Sequence, residues 1–180
     1  MLDLTQALSD LIDVVPASCR ELAHVDPAKL IVGLTRGRKR SSDGLLAKLV
    51  PLVEPGDFDW GGPRYAVLFC WPRFMQLTYK RKLEIIIHEL YHVGRDFDGS
   101  FREFPGRGKL HGNGCDYEAF CAELAARATP ALERTGRTEF LRMNPRAAKA
   151  RFGGLCGSFV RLNFSGNGGL CAQVKGPEPL

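Results

Sequence analysis

Nowhere in this 180-residue chain do two cysteines stand as a CxxC pair. The six cysteines, Cys19, Cys70, Cys115, Cys121, Cys156 and Cys171, are scattered. That scatter excludes a zinc ribbon, argues against a disulfide framework, and suits a reducing compartment in which most of them are small buried hydrophobes. No apolar run approaches the roughly 20 residues needed to span a bilayer. The opening stretch, MLDLTQALSDLIDVV, has acidic residues and no basic lead-in, so neither a membrane span nor a signal peptide is legible. The expectation is a cytoplasmic protein with no membrane partner. Internal repeats and low-complexity tracts are also missing.

What is present suits one domain of ordinary size: 44% of residues are hydrophobic, enough for a real core. The net charge is +5 and the sequence pI about 9.0. The excess is clumped in TRGRKR at 35 to 40 and RMNPRAAKAR at 142 to 151. Such clumps suit contact with phosphates, which makes nucleic acid a possible partner through Arg36, Arg38, Lys39 and Arg40, though solvated loops look the same.

Apolar Leu4, Leu8, Leu11 and Ile12 recur at helical spacing and predict a helix over residues 3 to 13. A short helix is expected at 19 to 23 and a strand at 29 to 34. LLAKLVPLV (45 to 53) fits helix or strand, limited by Pro51. Residues 55 to 63 read as a loop and RYAVLFCW (64 to 71) as a strand. A helix is predicted from Arg73 or Thr78 to Val93, stopped by Gly94. Alternation in GSFREF suggests a half-exposed strand at 99 to 104. Residues 114 to 128 read as a helix with Pro130 after it, and SFVRLNF and LCAQVK flank SGNGG as a hairpin. The composition changes near residue 141, dividing the chain into a domain over 1–140 and a basic, Gly-rich hairpin tail over 141–180. The fold class expected is α+β, a short mixed sheet packed on the helix that ends at Val93.

That helix carries the chemistry. IIIHELYHVG (85 to 94) places His88 and His92 four apart, one above the other on a single helix face, where both can hold one tetrahedral ion. Glu89, rotated by about a hundred degrees, is poorly placed as a ligand from that face but can reach a water on the metal. This HExxH pattern arises by chance in roughly half a percent of chains with so few histidines. Burying two imidazoles and a carboxylate among three isoleucines is costly unless a metal or hydrogen bonds compensate. A catalytic zinc ordinarily has three protein ligands and an open position. His111, in KLHG, is the favoured third ligand, with Asp116, Glu118 and Glu123 of the following helix as rivals. His24 reads as a surface or capping residue.

The run HELYHVGRDFDGSFREF...KLHG, with a strand before the motif helix, resembles the SprT-like zinc metallopeptidases and the related putative phage metallopeptidase family. The order VDPAKLIV, then RKR, then a strand, then the motif also resembles the phage-type group. The likeness spans residues 22 to 128. A separate zinc ribbon, found in many SprT-like proteins, has no cysteine pairs here to build it. The resemblance implies a zincin-like domain and a zinc-dependent endopeptidase acting on an intracellular protein. SprT-like relatives include proteases that act on proteins attached to DNA. The residues themselves point the same way: zinc lowers the pKa of its bound water to about 7, and Glu89 accepts that water's proton and passes it to the leaving amine. Strand 99 to 104 would offer an edge to an extended substrate, and Tyr117 and Arg107 are candidate oxyanion stabilisers. Two rivals stand beside this reading: a non-enzymatic, nucleic-acid-associated module with a structural zinc, and a metallohydrolase acting on a non-peptide amide.

Overall fold

A computed structural model describes residues 1–36, 46–52, 64–104, 110–111, 114–164 and 170–180. In chain order the described elements are β1 (Leu2–Asp3), α1 (Leu4–Ile12), α2 (Val15–Ser18), β2 (Leu30–Thr35), β3 (Ala47–Pro51), β4 (Tyr65–Cys70), α3 (Arg73–Gln76), α4 (Tyr79–Tyr91), α5 (Gly114–Arg134), α6 (Pro145–Phe152), β5 (Leu155–Phe164) and β6 (Leu170–Pro179). Short 3₁₀ turns fall at Arg20–Leu22, Pro27–Lys29 and Glu139–Arg142. The architecture is the expected mixture of helices with one small mixed sheet.

The strand order is β1-β5-β2-β4-β3, with β6 added to β5. The β1/β5, β5/β2 and β2/β4 pairs are parallel, and β3 runs antiparallel to β4 at the edge. β4 is buried along its whole length. The stretch that fitted helix or strand is therefore edge strand β3. Pro51 closes it, at an edge position where a missing N–H is tolerated.

The C-terminal hairpin joins this same sheet. β5 pairs with β1 and β2 as well as with β6, so the last residues of the chain share a sheet with the first. α1 lies close over β5, and Ser158 N–H donates to Thr5 Oγ1 at 2.8 Å. Gly157 leaves room on both sides of β5, because a Cβ there would stand 3.2 Å from Thr5 Oγ1 of α1 and 2.5 Å from Leu34 Cδ1 of β2.

α4 starts at Thr78, whose Oγ1 accepts from Arg81 N at 3.3 Å, and buries Leu83, Ile86, Ile87 and Leu90 in the core. Of the two predicted starts, Arg73 and Thr78, the structure has the second: Thr78 caps α4, and Arg73–Gln76 forms the separate α3. Lys82 is fully buried on α4, and its ammonium donates to the carbonyls of Leu141 and Met143 at 2.9 and 2.7 Å. These bonds tie the metal-motif helix to the 3₁₀ turn at Glu139–Arg142.

Two further expectations are corrected. The strand predicted at 99 to 104 is a single bridge, Val93 to Phe101. Its alternation is too short to hold a ladder, and Tyr65 Oη instead organises the return by accepting from Gly99 N and donating to Ser100 O. α5 does not stop before Pro130 but continues to Arg134, since Leu132 is fully buried and packing of that last stretch offsets the lost backbone bond. The predicted loop at 55 to 63 and the hairpin turn at 165 to 169 lie outside the described residues. Among the described residues no helix is long and apolar enough to cross a membrane.

Candidate metal centre

His88 sits in the last turn of α4, and His92 caps the helix with φ −71° and ψ −11°, still helical, so their four-residue spacing keeps both rings on one face. After His92 the chain turns back through Gly94, where a Cβ would stand 2.5 Å from Ser100 Oγ. Arg102 N donates to His92 O at 2.9 Å. Gly94 is thus required by close approach and not by a left-handed helix stop. The chain then delivers His111 just before α5.

His92 Nε2 lies 3.3 Å from His88 Nε2 and 3.0 Å from His111 Nε2, and ring nitrogens of the three histidines all lie within 4.8 Å of one another. Four ligands held about 2.0–2.1 Å from a tetrahedral ion are separated by roughly 3.3 Å. The two separations from His92 match this spacing, so the three imidazoles can hold a metal ion.

Burial, reinforced by the neighbouring imidazoles, pulls His88 down to about 3 and His92 to about 4. At neutral pH both rings are uncharged and carry a lone pair, the form a metal requires. Glu89 is buried on the adjacent face, and burial raises its carboxyl to about 7 against the opposing effect of a hydrogen bond from Leu49 N–H. That bond, 2.7 Å to Glu89 Oε2, joins the metal-motif helix to edge strand β3 and leaves Oε1 outside it.

These shifts set the acid behaviour of the metal-free protein. Between about pH 6.5 and 4 the unfolded histidines bind protons that the folded ones reject, so stability falls as pH falls. Glu89 acts in the opposite sense between about 7 and 4.5, because its folded form holds a proton that the unfolded form releases. Two imidazoles oppose one carboxyl. Glu89→Gln should therefore make the loss of stability between pH 6.5 and 4.5 roughly twice as steep. Urea melts of metal-free protein at several pH values measure the slope, and an unchanged slope would refute this assignment.

Tyr117, fully buried on α5, packs its ring against all three histidines, and its hydroxyl donates to His88 O at 3.0 Å. Of the rival third ligands, Asp116, Glu118 and Glu123 are exposed on α5, outside the histidine group, and Glu118 lies 3.5 Å from Arg81. His24 is a cap: its Nε2 is 3.0 Å from Val93 O, just beyond the end of α4. Arg107 lies outside the described residues. The amide of Leu49 escaped sequence reasoning, as a backbone group on a strand that could have been a helix leaves no residue-type signal.

Of the basic clump, Arg36 pairs with Glu178 at 2.9 Å, stacks over Phe159, and borders a cavity of about 360 Å³ together with Arg161 and Lys175. Arg38, Lys39 and Arg40 lie outside the described residues. In the second clump, Arg142 pairs with Glu133, and Arg151 lies 3.9 Å from Glu139.

A sequence model for the family described as putative phage metallopeptidase matches residues 3–141. No curated protein and no solved structure matches the chain.

Proposed function

This chain belongs to the putative phage metallopeptidase family, and we propose on that premise that it is a zinc-dependent endopeptidase of the HExxH type with a zincin-like, SprT-related domain, cleaving an intracellular protein in the cytoplasm. The observation that carries the reading is the convergence of three imidazole nitrogens beside a buried carboxylate that is not among them. His88, His92 and His111 would hold the ion, leaving a fourth position open. Zinc bound there supplies Lewis acidity, acidifying water and polarising a carbonyl.

The remaining chemistry belongs to the chain. Glu89 is oriented through Oε2 by the Leu49 amide, so Oε1 is the oxygen that accepts the proton of the attacking water and returns it to the leaving amine. A carboxyl lifted by burial toward neutral pH is well matched to both transfers. A structural zinc site has no use for such a base, which disfavours the module reading.

β3, not residues 99 to 104, is the substrate edge in this reading. Leu46 O accepts from Cys70 N, and Leu52 N donates to Arg64 O, so even-numbered residues of this stretch bond to β4. By alternation Ala47, Leu49 and Pro51 turn their backbone groups away from β4. Leu49 spends its N–H on Glu89. A peptide adding to this edge in extended form would lie with its backbone beside the Glu89 carboxylate.

The test is a purified protein assayed for metal and for hydrolysis of a permissive unfolded protein. About one zinc per chain is expected, with cleavage that a chelator stops and added zinc restores. Tight zinc without hydrolysis of any protein, with or without DNA, would favour the structural module. Turnover confined to small non-peptide amides would favour the other metallohydrolase.

Nucleic acid is proposed as a further partner on the strength of Arg36, Arg161 and Lys175 around one cavity, which Glu178 also lines, and of the basic residues Arg38, Lys39 and Arg40 that follow Arg36 in the sequence. Each phosphate contact contributes about 0.9 to the slope of log affinity against log salt. Replacing Arg36, Arg38, Lys39 and Arg40 by Ala should flatten that slope in a filter-binding titration. Affinity that is absent, or indifferent to salt, removes nucleic acid from the list of partners.

A further inference from the structure

Resting on the metal-site reading above, we infer that Tyr117 is a fourth protein group at the ion, its hydroxyl oxygen contacting the metal directly as an added ligand of a centre expanded to five-coordinate, so that the position for water is kept. The ring centroid of Tyr117 stands 4.7, 5.2 and 5.3 Å from those of His88, His92 and His111, so the phenol is seated in the cup that the three imidazoles form. Its Oη lies 3.4 Å from His92 Nε2. The other two imidazole nitrogens lie at 3.3 and 3.0 Å from that same atom. Three polar atoms therefore surround His92 Nε2 at nearly one distance.

A ring nitrogen has one proton or one lone pair in the ring plane and cannot bond all three neighbours at once. An ion bound at His92 Nε2 can have all three within its reach, since 3.0–3.4 Å is the separation expected between neighbouring ligands held by bonds of about 2.0–2.2 Å. The hydroxyl proton has its own destination, His88 O at 3.0 Å. That leaves the Oη lone pairs free to face the ion while the hydroxyl stays protonated. Tyr117 also comes from α5, whereas His88 and His92 come from α4, so this contact ties the second helix to the centre.

The experiment loads the full chain with Co²⁺ and compares parent, Tyr117→Phe and, as a control for aromatic packing, Tyr91→Phe, whose ring is 5.7 Å from that of Tyr117. Tyr117→Phe should alter the energy and intensity of the cobalt d–d bands and weaken Co²⁺ and Zn²⁺ about 10- to 100-fold in chelator competition, while Tyr91→Phe matches the parent. Identical bands and affinity within about twofold for Tyr117→Phe would overturn the inference and leave the three-histidine site standing. A parent that takes up no stoichiometric cobalt would overturn both.

Should Tyr117→Phe fail to fold, the parent labelled with 3-fluorotyrosine at its 4 tyrosines answers instead. Direct contact predicts one of the four ¹⁹F resonances carried far outside the diamagnetic range by Co²⁺. Four resonances left within that range would reject the contact.

Discussion

Glu89→Gln should lower hydrolysis of an unfolded protein by roughly a hundred- to ten-thousand-fold, the usual contribution of a positioned general base, with metal content still near one ion per chain. The substitution is nearly isosteric, and the carbonyl oxygen of the new side-chain amide can still accept from Leu49 N–H, which in the parent bonds Oε2 at 2.7 Å. What disappears is the second oxygen that takes up and releases a proton. None of the three converging histidine nitrogens belongs to Glu89, so the ion should be retained. A buried carboxyl is replaced by a neutral amide, and melting of the metal-loaded protein near neutral pH should stay close to the parent. Zinc content, melting temperature and cleavage rate measured on one preparation decide the matter. Parent-like cleavage by Glu89→Gln would remove Glu89 from the mechanism.

Loss of the ion is the second large effect. His88→Ala and His92→Ala should each release zinc to a chelator that leaves the parent loaded, with affinity falling on the order of a hundredfold or more, because two neutral donors compete with water far less well than three. His111→Ala belongs with them. Its Nε2 is 3.0 Å from that of His92, although the residue is exposed and lies on a short stretch ahead of α5. Glu118→Ala and Glu123→Ala should leave affinity nearly intact, as both carboxylates are exposed on α5 and Glu118 faces Arg81. The reverse pattern, with His111→Ala still loaded and a glutamate variant empty, would transfer the third ligand to α5. Undiminished zinc in both His88→Ala and His92→Ala would end the metal reading of the motif.

Whatever depends on near neighbours in the chain was legible in the sequence by itself. α1 was readable from Leu4, Leu8, Leu11 and Ile12, and β4 from an apolar, aromatic-rich run, because helical and strand periods are written over a few residues. The pairing of His88 with His92 belongs to the same class: a four-residue spacing fixes a shared face once the helix forms. Tertiary structure decided everything that joins distant segments. Ala47–Pro51 became β3 only because β4 offers it a partner, and GSFREF stayed a single bridge because it has no ladder to join. α5 ran through Pro130 because packing offset a lost hydrogen bond that local rules count as a stop. The hairpin after the change in composition entered the sheet beside β1 and β2, a choice made by burial across more than a hundred residues of chain. At the centre itself, His111 was one of four possible donors in the sequence, and the approach of its ring nitrogen to that of His92 depends on the fold of the chain between them. The bond from Leu49 to Glu89 is the clearest case, since its donor is a backbone amide whose direction is set by strand pairing and not by residue type.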